Sequence, residues 1–301
     1  MANHVLITGG TGLIGSALTK MLLSKGYNVA HLSRSRTGDE KVKTYTWQVS
    51  KNVIETGAIE NADYIIHLAG TNLTSKRWTA AQKEKMEKSR IETSYLLYQK
   101  LHLLKHKVKA VVSSSGINYY GADSQELMVT EESPAGTDFL AQLCVKWENT
   151  VSKIAKLKIR LVQFRTGPVL SREGGMLKKL VPLAKSGLAS PIGTGKQYIS
   201  WIHIEDLCRL YISALEDDTW NGIYNAVAPE PVTNKEFMKI LAKVAKRPFI
   251  FPAVPGFSVK LLYGEMGEVI LGGVKASSKK IELQPFQYHY PTLQSALKTL
   301  L

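Results

Sequence analysis

A glycine-rich turn directly after a short apolar stretch is the feature that most limits what this chain can fold into. Residues 4–8 have the pattern of a buried strand, and apolar residues recur at helical spacing after the turn. Gly10, Gly12 and Gly15 fit G-x-G-x-x-G, and Gly9, Gly12 and Gly15 fit G-x-x-G-x-x-G equally well. Such a strand–turn–helix binds the pyrophosphate of a dinucleotide, because glycines admit the phosphates and the helix N-terminus donates N–H groups to them. The predicted cofactor contacts in this turn are Gly9, Thr11, Gly12, Leu13, Ile14 and Gly15.

The end of the second predicted strand, 27–32, bears on which dinucleotide binds. NAD enzymes usually place an acid here, which hydrogen-bonds the ribose 2′-hydroxyl. No acid occurs in this chain before Asp39, and Arg34 follows the strand instead. An arginine suits the 2′-phosphate of NADP through charge-assisted hydrogen bonds. We therefore predict NADP(H) as the cofactor, with NAD(H) as the less favoured alternative.

Strand-like and helix-like stretches alternate through the first 165 residues. Further strands are expected at 45–49, 64–68, 108–113 and 159–164, and long helices at 79–105 and 138–156. This alternation is typical of parallel β-α-β units, so we predict an α/β fold with a Rossmann-type doubly wound parallel sheet. Residues 1–165 are the expected dinucleotide-binding domain, and 200–228 return to it. The predicted smaller C-terminal substrate lobe comprises 166–199 and 229–301.

The C-terminal part of the chain carries its own helix signals. A helix is expected at 204–216, followed by a strand at 224–228. Thr233 and Glu236 form a capping-box pattern that predicts the start of another helix. After three prolines, a last helical stretch is predicted near 256–271.

Composition and charge exclude several classes of protein. The chain has 301 residues and a formal net charge of +14, which suits phosphate-bearing ligands. Its lysines are scattered and form no nucleic-acid module, so no nucleic-acid partner is predicted. Cys144 and Cys208 cannot build a disulfide framework or a zinc site, and no metal site is predicted. No apolar run approaches the ~18 residues of a membrane span and the N-terminus lacks a signal-peptide pattern, so we expect a cytoplasmic protein without a membrane partner.

Several motifs together resemble one protein superfamily. TGGTGLIG at 8–15, HLAG at 67–70, SSSGINYYG at 113–121 and SWIHIEDL at 200–207 are similar to motifs of the extended short-chain dehydrogenases/reductases. More narrowly, the chain resembles an atypical group within this superfamily. These are the epimerase-family proteins of the sugar-nucleotide-epimerase-like group, with their characteristic C-terminal domain. That likeness lies in 77–94, 138–148, 174–182 and 261–301. The resemblance implies a cofactor held by Gly9, Gly12, Gly15, Arg34, Leu68, Ala69 and Gly70.

The wider superfamily transfers a hydride with a serine or threonine, a tyrosine and a lysine. The serine polarises a hydroxyl or carbonyl, and the tyrosine of a Y-x-x-x-K motif is the acid/base. The lysine lowers the pKa of that tyrosine and holds the nicotinamide ribose. Ser115 matches the serine position, with Ser114 as its near rival.

The Y-x-x-x-K motif itself is absent from this chain. If Lys146 is taken as the lysine, Gln142 stands at the tyrosine position. If Glu148 is aligned with the acid usual four residues past the lysine, Cys144 and Leu140 take the two positions. Neither register supplies both groups, so the resemblance leaves the proton-transfer residue open.

Other residues near these motifs are candidates for the cofactor and catalytic site. Tyr119 and Tyr120 follow Ser115 closely; they either line the nicotinamide site as replacement acids or pack as core aromatics. We expect Ser113 and Arg165 at the cofactor edge, because ligands of open α/β sheets bind at the carboxyl ends of strands. By the resemblance, the segment around His203 caps a helix and braces the fold.

Residues after the HLAG motif are candidates for contacts with a small-molecule substrate. Arg77 and Trp78 come shortly after it and would suit an anionic or ring-bearing compound such as a sugar nucleotide. Ser200 and Trp201 are further candidates. Two functions remain open: an atypical NADP-dependent oxidoreductase or nucleotide-sugar epimerase-like enzyme, or an NADP(H)-binding sensor or scaffold without turnover. The resemblance also implies a homodimer formed through the two long helices.

Overall fold

A mostly parallel β-sheet forms the centre of the protein. The structure is a computed structural model that describes residues 3–36, 41–73 and 77–301. Its strands are β1 (His4–Thr8), β2 (Asn28–Ser33), β3 (Lys43–Gln48), β4 (Val53–Ile54), β5 (Tyr64–His67), β6 (Ala110–Gly116), β7 (Met128–Val129), β8 (Arg160–Thr166), β9 (Val169–Leu170), β10 (Tyr198–Ile199), β11 (Ile202–His203), β12 (Gly222–Ala226), β13 (Val232–Thr233) and β14 (Lys275–Ala276).

Eight of these strands pair in the order β12-β8-β6-β5-β1-β2-β3-β4. All neighbours run parallel except β4, which runs antiparallel to β3. This is the predicted Rossmann-type doubly wound α/β sheet. The chain leaves β1 towards β2 on one side and later returns to β5 on the other, so a crevice opens at the carboxyl ends of β1 and β5.

Helices cover both faces of the sheet. They are α1 (Leu13–Ser24), α2 (Ala80–Leu103), α3 (Phe139–Ser152), α4 (Gly175–Lys185), α5 (Ile204–Glu216), α6 (Asn234–Val244), α7 (Gly256–Tyr263), α8 (Met266–Leu271), α9 (Lys279–Glu282) and α10 (Leu293–Leu300). Alternate residues of β1 face opposite layers: Val5 and Ile7 pack against α1 and α5, and Leu6 packs on the side of α2 and α3. The three central residues of this strand are therefore all apolar, as expected when both faces of a strand are buried.

The helix starts follow the capping patterns of the sequence. The Thr79 side chain accepts a hydrogen bond from the backbone of Gln82 and caps α2. The predicted capping box of Thr233 and Glu236 is present at α6. The helix expected over 256–271 is wrong in one respect, since it is divided into α7 and α8 at Gly264, whose φ of +59° lies in the left-handed region.

A separate apolar cluster lies outside the central sheet. Buried side chains of α4, α6 and α10, among them Leu177, Phe237 and Leu297, pack together there. Between α4 and α6 the chain returns to the central sheet, where β12 pairs with β8. No helix in the described part of the chain has the length and apolar character needed to cross a bilayer.

Candidate functional site

The glycine turn lies in the crevice, between the carboxyl ends of β1 and β5. Gly9 has a φ of +71°, and a Cβ there would lie 3.0 Å from the carbonyl carbon of Leu68. A Cβ on Gly15 would lie 2.4 Å from the Gly9 carbonyl oxygen. The turn therefore needs glycine at both positions, because it packs closely against the HLAG segment and against the start of its own helix.

Gly12 is glycine for a different reason. A Cβ there would meet only the Gly9 carbonyl oxygen, at 3.3 Å, among the described atoms. Both Gly12 and Thr11 are exposed at the mouth of the crevice. The fold requires a glycine here much less than at Gly15, whereas a ligand lying on the turn would need the space that a side chain would fill.

The first turn of α1 is open to an anion. Gly12 is the N-cap residue, so no side chain caps the helix, and the first turn, which includes Leu13 and Ile14, contains no acid. The leading N–H groups of a helix have no intrahelical partners, and its dipole favours negative charge at this end. The residues present thus fit the phosphates of a dinucleotide.

Thr8 holds the HLAG segment beside this turn. Its hydroxyl oxygen accepts hydrogen bonds from the backbone N–H groups of Leu68 and Ala69, each at 3.1 Å. Because these two bonds use both lone pairs of the hydroxyl oxygen, the Thr8 hydroxyl donates its proton to Nδ1 of His67 at 2.8 Å. The positions of the predicted contacts Leu68, Ala69 and Gly70 therefore depend on one buried side chain of β1.

A directed chain of hydrogen bonds continues from His67 into α2. The Ser94 hydroxyl donates to the Arg90 carbonyl oxygen at 2.6 Å, so it accepts from Nε2 of His67 at 2.9 Å. These directions assign the His67 proton to Nε2. Burial lowers the pKa of His67 to about 4, and the ring is neutral at physiological pH.

Arg34 lies where the sequence places it. It directly follows β2, is exposed, and stands at the carboxyl end of the sheet. Arg36, two residues on, forms an ion pair with Glu55 at 3.7 Å. Asp39, the first acid after the strand, lies outside the described residues.

The region after β6, where the superfamily serine stands, is filled by a buried ion pair. The Ser115 hydroxyl donates to Oε1 of Glu148 at 2.7 Å. Arg165 donates to the same carboxylate through Nε at 2.9 Å and through Nη2 at 2.8 Å. Ser115, Glu148 and Arg165 are 4%, 5% and 2% exposed. The Ser115 hydroxyl is thus committed to an internal partner.

Arg165 also organises the two tyrosines. Its guanidinium carbon lies 3.3 Å from the ring centre of Tyr119, and Nη1 donates to the hydroxyl of Tyr120 at 3.0 Å and to the Glu131 carbonyl at 3.2 Å. Tyr120 donates in turn to Oδ1 of Asn225 at 2.6 Å, and burial raises its pKa to about 12. The donors of Arg165 therefore bond interior groups, which argues against its predicted contact with the cofactor. Tyr120 is likewise a core aromatic.

Ser113 is also behind the crevice rather than in it. It is fully buried in β6, and its hydroxyl donates to the Ser114 carbonyl oxygen at 3.2 Å. Tyr119 remains half-buried at the edge of this cluster. Of the three predicted catalytic residues, Tyr119 alone lacks a hydrogen bond from its hydroxyl to a described residue.

The structure favours one of the two registers for the missing tyrosine–lysine pair. Lys146 is exposed on α3 and forms an ion pair with Glu87 at 2.7 Å, which directs it away from Ser115. Glu148 faces Ser115, and one turn before it Cys144 lies buried. These contacts favour the register that places Cys144 and Leu140 at the lysine and tyrosine positions, and neither side chain can replace the acid/base. Burial raises the pKa of the Cys144 thiol to about 12.

Arg77 and Trp78 lie near the start of α2, facing the C-terminal helices. The exposed Arg77 reaches Gly264, where a Cβ would lie 3.1 Å from its Nε. Trp78 donates from Nε1 to the Leu73 carbonyl at 2.8 Å and packs edge-on against Phe139, 5.7 Å between ring centres. Arg77 is therefore exposed beside the junction of α7 and α8, whereas the Trp78 indole is partly used in packing.

Ser200 and Trp201, which were predicted as substrate contacts, lie in the interior of the protein. Both are fully buried. Ser200 donates to the Val274 carbonyl at 2.7 Å and accepts from the backbone of Ala276 at 2.9 Å. Trp201 donates to the Glu230 carbonyl at 3.0 Å. These bonds join chain segments in the interior, and this burial argues against the predicted role of Ser200 and Trp201 as substrate residues. His203, as expected, caps α5.

Sequence reasoning missed the side chains that support the site from behind. His67 and Ser94 were not singled out, although His67 belongs to the HLAG motif. Glu148 was used only to set a register, and its pairing with Arg165 was not foreseen. No local signal reveals that pairing, because the two residues meet only across neighbouring elements of the fold.

The family of the chain follows from comparison with known proteins. Residues 5–226 match the NAD dependent epimerase/dehydratase family, and residues 254–300 match a domain of unknown function, DUF1731. The chain belongs to the NAD dependent epimerase/dehydratase family. The resemblance seen in the motifs and in the C-terminal tail is confirmed.

Individual members of this epimerase/dehydratase family match over the whole chain. An epimerase family protein of Mycobacterium bovis, Mb2239, is 34% identical over 299 residues, which cover 99% of this chain and 97% of that protein. The crystal structure of human epimerase family protein SDR39U1 (isoform 2) with NADPH has a TM-score of 0.89 at 31% identity, covering 99% of this chain and 98% of that one. A nucleoside-diphosphate sugar epimerase from Corynebacterium glutamicum has a TM-score of 0.81 at 29% identity, covering 100% of this chain and 58% of that one.

Proposed function

We propose that this protein binds NADP(H) on the glycine turn, as an atypical family member that does not use the serine–tyrosine–lysine proton transfer. The observation that carries the proposal is the uncapped first turn of α1, with space left open at Gly12. Arg34 stands at the end of β2, where a 2′-phosphate would be recognised. The human relative crystallised with NADPH supports the same cofactor.

Cofactor choice is tested by titrating the purified protein with NADPH and NADH. We expect tighter binding of NADPH, and a selective loss of NADPH affinity in Arg34→Ala. Arg36→Ala is the matched control, because Arg36 is already paired with Glu55. Equal or tighter binding of NADH by the wild-type protein would overturn the choice of cofactor.

Two functions remain for the bound cofactor, and each has an observation in its favour. An atypical oxidoreductase or nucleotide-sugar epimerase-like enzyme is supported by the sugar epimerase from Corynebacterium glutamicum among the similar structures. Its substrate would be a small molecule such as a sugar nucleotide, near Arg77, with Tyr119 as the candidate acid. A sensor or scaffold without turnover is supported by the Ser115–Glu148 bond and by Leu140 and Cys144 at the acid/base positions.

Turnover distinguishes these two functions. The protein is loaded with NADPH or NADP⁺ and exposed to a panel of sugar nucleotides and small carbonyl compounds, with cofactor absorbance and product chromatography as readouts. Conversion that is lost in Tyr119→Phe supports the enzyme. Tight binding without conversion across the panel supports the sensor. The cytoplasmic location and the homodimer stay predictions, for which cell fractionation and sedimentation are the measurements.

A further inference from the structure

Arg90 is a buried arginine beneath the HLAG segment that the proposed function does not use. It lies in α2 and is 8% exposed. Its Nη2 donates to the Thr71 carbonyl at 3.1 Å, and Nη1 donates to the Met86 carbonyl at 3.2 Å. Gly70 lies directly over it, since a Cβ there would be 3.0 Å from the guanidinium carbon. The charge is thus placed immediately behind the predicted cofactor loop.

No carboxylate of the described chain forms an ion pair with Arg90. The side chain instead stacks on the ring of Trp147 at 5.1 Å. Burial without a counter-charge lowers the pKa of Arg90 to about 10. Arg165, the other deeply buried arginine discussed above, has a bidentate carboxylate partner. A buried cation without such a partner is costly, and it retains donors for a ligand.

The Arg90 charge lies near Cys144, which bears on the missing lysine. In the register that the structure favours, Cys144 stands on α3 where the superfamily has its lysine. Trp147, on whose ring Arg90 stacks, is three residues further along the same helix. The Arg90 charge also opposes the rise in the pKa of the Cys144 thiol that burial causes. A positive charge is therefore present near the lysine position, although it comes from α2 rather than α3.

We propose that Arg90 replaces the missing lysine as a cofactor-binding residue and donates hydrogen bonds to the ribose hydroxyls on the nicotinamide side of the dinucleotide. The proposal rests on the proposed function, because it assumes a dinucleotide on the glycine turn. It assigns no proton transfer to Arg90, since an arginine stays protonated at physiological pH.

The test uses two ligands that differ in the part Arg90 would touch. NADPH carries the nicotinamide ribose, whereas 2′,5′-ADP carries the adenosine and its phosphates and lacks that ribose. Calorimetric titration of the full-length Arg90→Met variant should show NADPH binding weakened by about tenfold or more, with 2′,5′-ADP binding unchanged. Arg34→Ala should weaken both ligands, and Lys88→Met, an exposed change on the same helix, should affect neither.

A second variant distinguishes the effect of the positive charge at position 90 from the effect of the hydrogen bonds that support the HLAG segment. Arg90→Lys keeps a cation and should recover part of the NADPH affinity lost in Arg90→Met. Circular dichroism checks the fold, and if Arg90→Met is unfolded, Arg90→Gln carries the same comparison.

Three results would overturn the proposal, each in a different way. Wild-type affinity for NADPH in Arg90→Met would show that the residue does not contact the cofactor. An equal loss for both ligands would show that Arg90 only supports the loop. A wild-type protein that binds neither ligand would remove the proposed function itself, and that outcome is visible before any variant is made.

Discussion

Two regions at the carboxyl edge of the same sheet are built in opposite ways. Between β1 and β5 the surface consists of backbone: glycines, unpaired helix N–H groups and an exposed mouth. Between β6 and β8 it consists of side chains that bond one another, centred on the buried pair of Glu148 and Arg165. The comparison shows that the glycine turn leaves its backbone donors accessible, whereas the Ser115 hydroxyl is bonded to an internal carboxylate. The first region is open to a ligand, and the second, where the superfamily keeps its serine, is closed by its own charges.

The largest expected effect on stability comes from breaking the buried ion pair of Glu148 and Arg165. Glu148→Ala leaves Arg165 charged and only 2% exposed, which should lower the free energy of unfolding by about 3–5 kcal/mol. Lys146→Ala is the matched control on the same helix, since it breaks the exposed pair with Glu87 and should cost about 1 kcal/mol or less. Urea denaturation measures both. Similar losses in the two variants would contradict the account of a closed, charge-paired region.

A smaller effect is expected from the protonation of His67, the buried side chain that bonds Thr8 behind the glycine turn. The pKa of His67 is about 4 in the folded protein, against 6.5 for an unburied histidine, so the unfolded chain binds the proton first as the pH falls. The neutral His67 ring therefore makes its full contribution to the free energy of unfolding above pH 6.5. That contribution is lost progressively as the pH falls towards 4, by about 3 kcal/mol in all.

Urea denaturation between pH 4 and 7 tests this, with the His67→Gln variant as reference. The buried His203 also has a lowered pKa and contributes in the same direction, so the difference between wild type and variant is the quantity to compare. A pH dependence that is the same in both proteins would exclude His67 as its source.

The smallest expected effect concerns the open region alone. Gly12→Ala places a methyl group where the proposed ligand lies, and it should weaken NADPH binding by about tenfold, or 1.4 kcal/mol. The melting temperature of the free protein should change little, because the added Cβ meets only one described atom, at 3.3 Å. Gly15→Ala is the contrast: its Cβ would lie 2.4 Å from the Gly9 oxygen, and the fold itself should suffer. Unchanged NADPH binding in Gly12→Ala would argue against a ligand on this turn.

Much of the open region was predictable because its signals are local. The strand, turn and helix around Gly12 follow each other without interruption, and their periodicity and glycine spacing are visible in a few residues. The capping box of Thr233 and Glu236 is equally local, and it was predicted correctly. The break at Gly264 was missed because the apolar spacing on both sides of it suits a single helix.

The closed region was not predictable, because its contacts join distant parts of the chain. Lys146 and Glu148 are both charged and two residues apart on α3, so hydropathy does not tell which one is buried. The sequence also gives no sign that Arg165, in a separate strand, lies opposite Glu148. Without that knowledge, the register of Cys144 stayed open and Arg165 was assigned to the cofactor edge instead of the core.

Helix α2 contacts two separate parts of the molecule through residues on the same side. Lys83 of α2 forms an ion pair with Glu265 at 2.5 Å, at the junction of α7 and α8. Arg90 lies seven residues further on, two turns or about 10 Å along the helix axis. One continuous helix therefore contacts both the residue that follows the HLAG segment, through Arg90 and Thr71, and the junction of α7 and α8, through Lys83. The backbone at the predicted cofactor loop and the helices near the C-terminus are thus placed relative to each other by a single element.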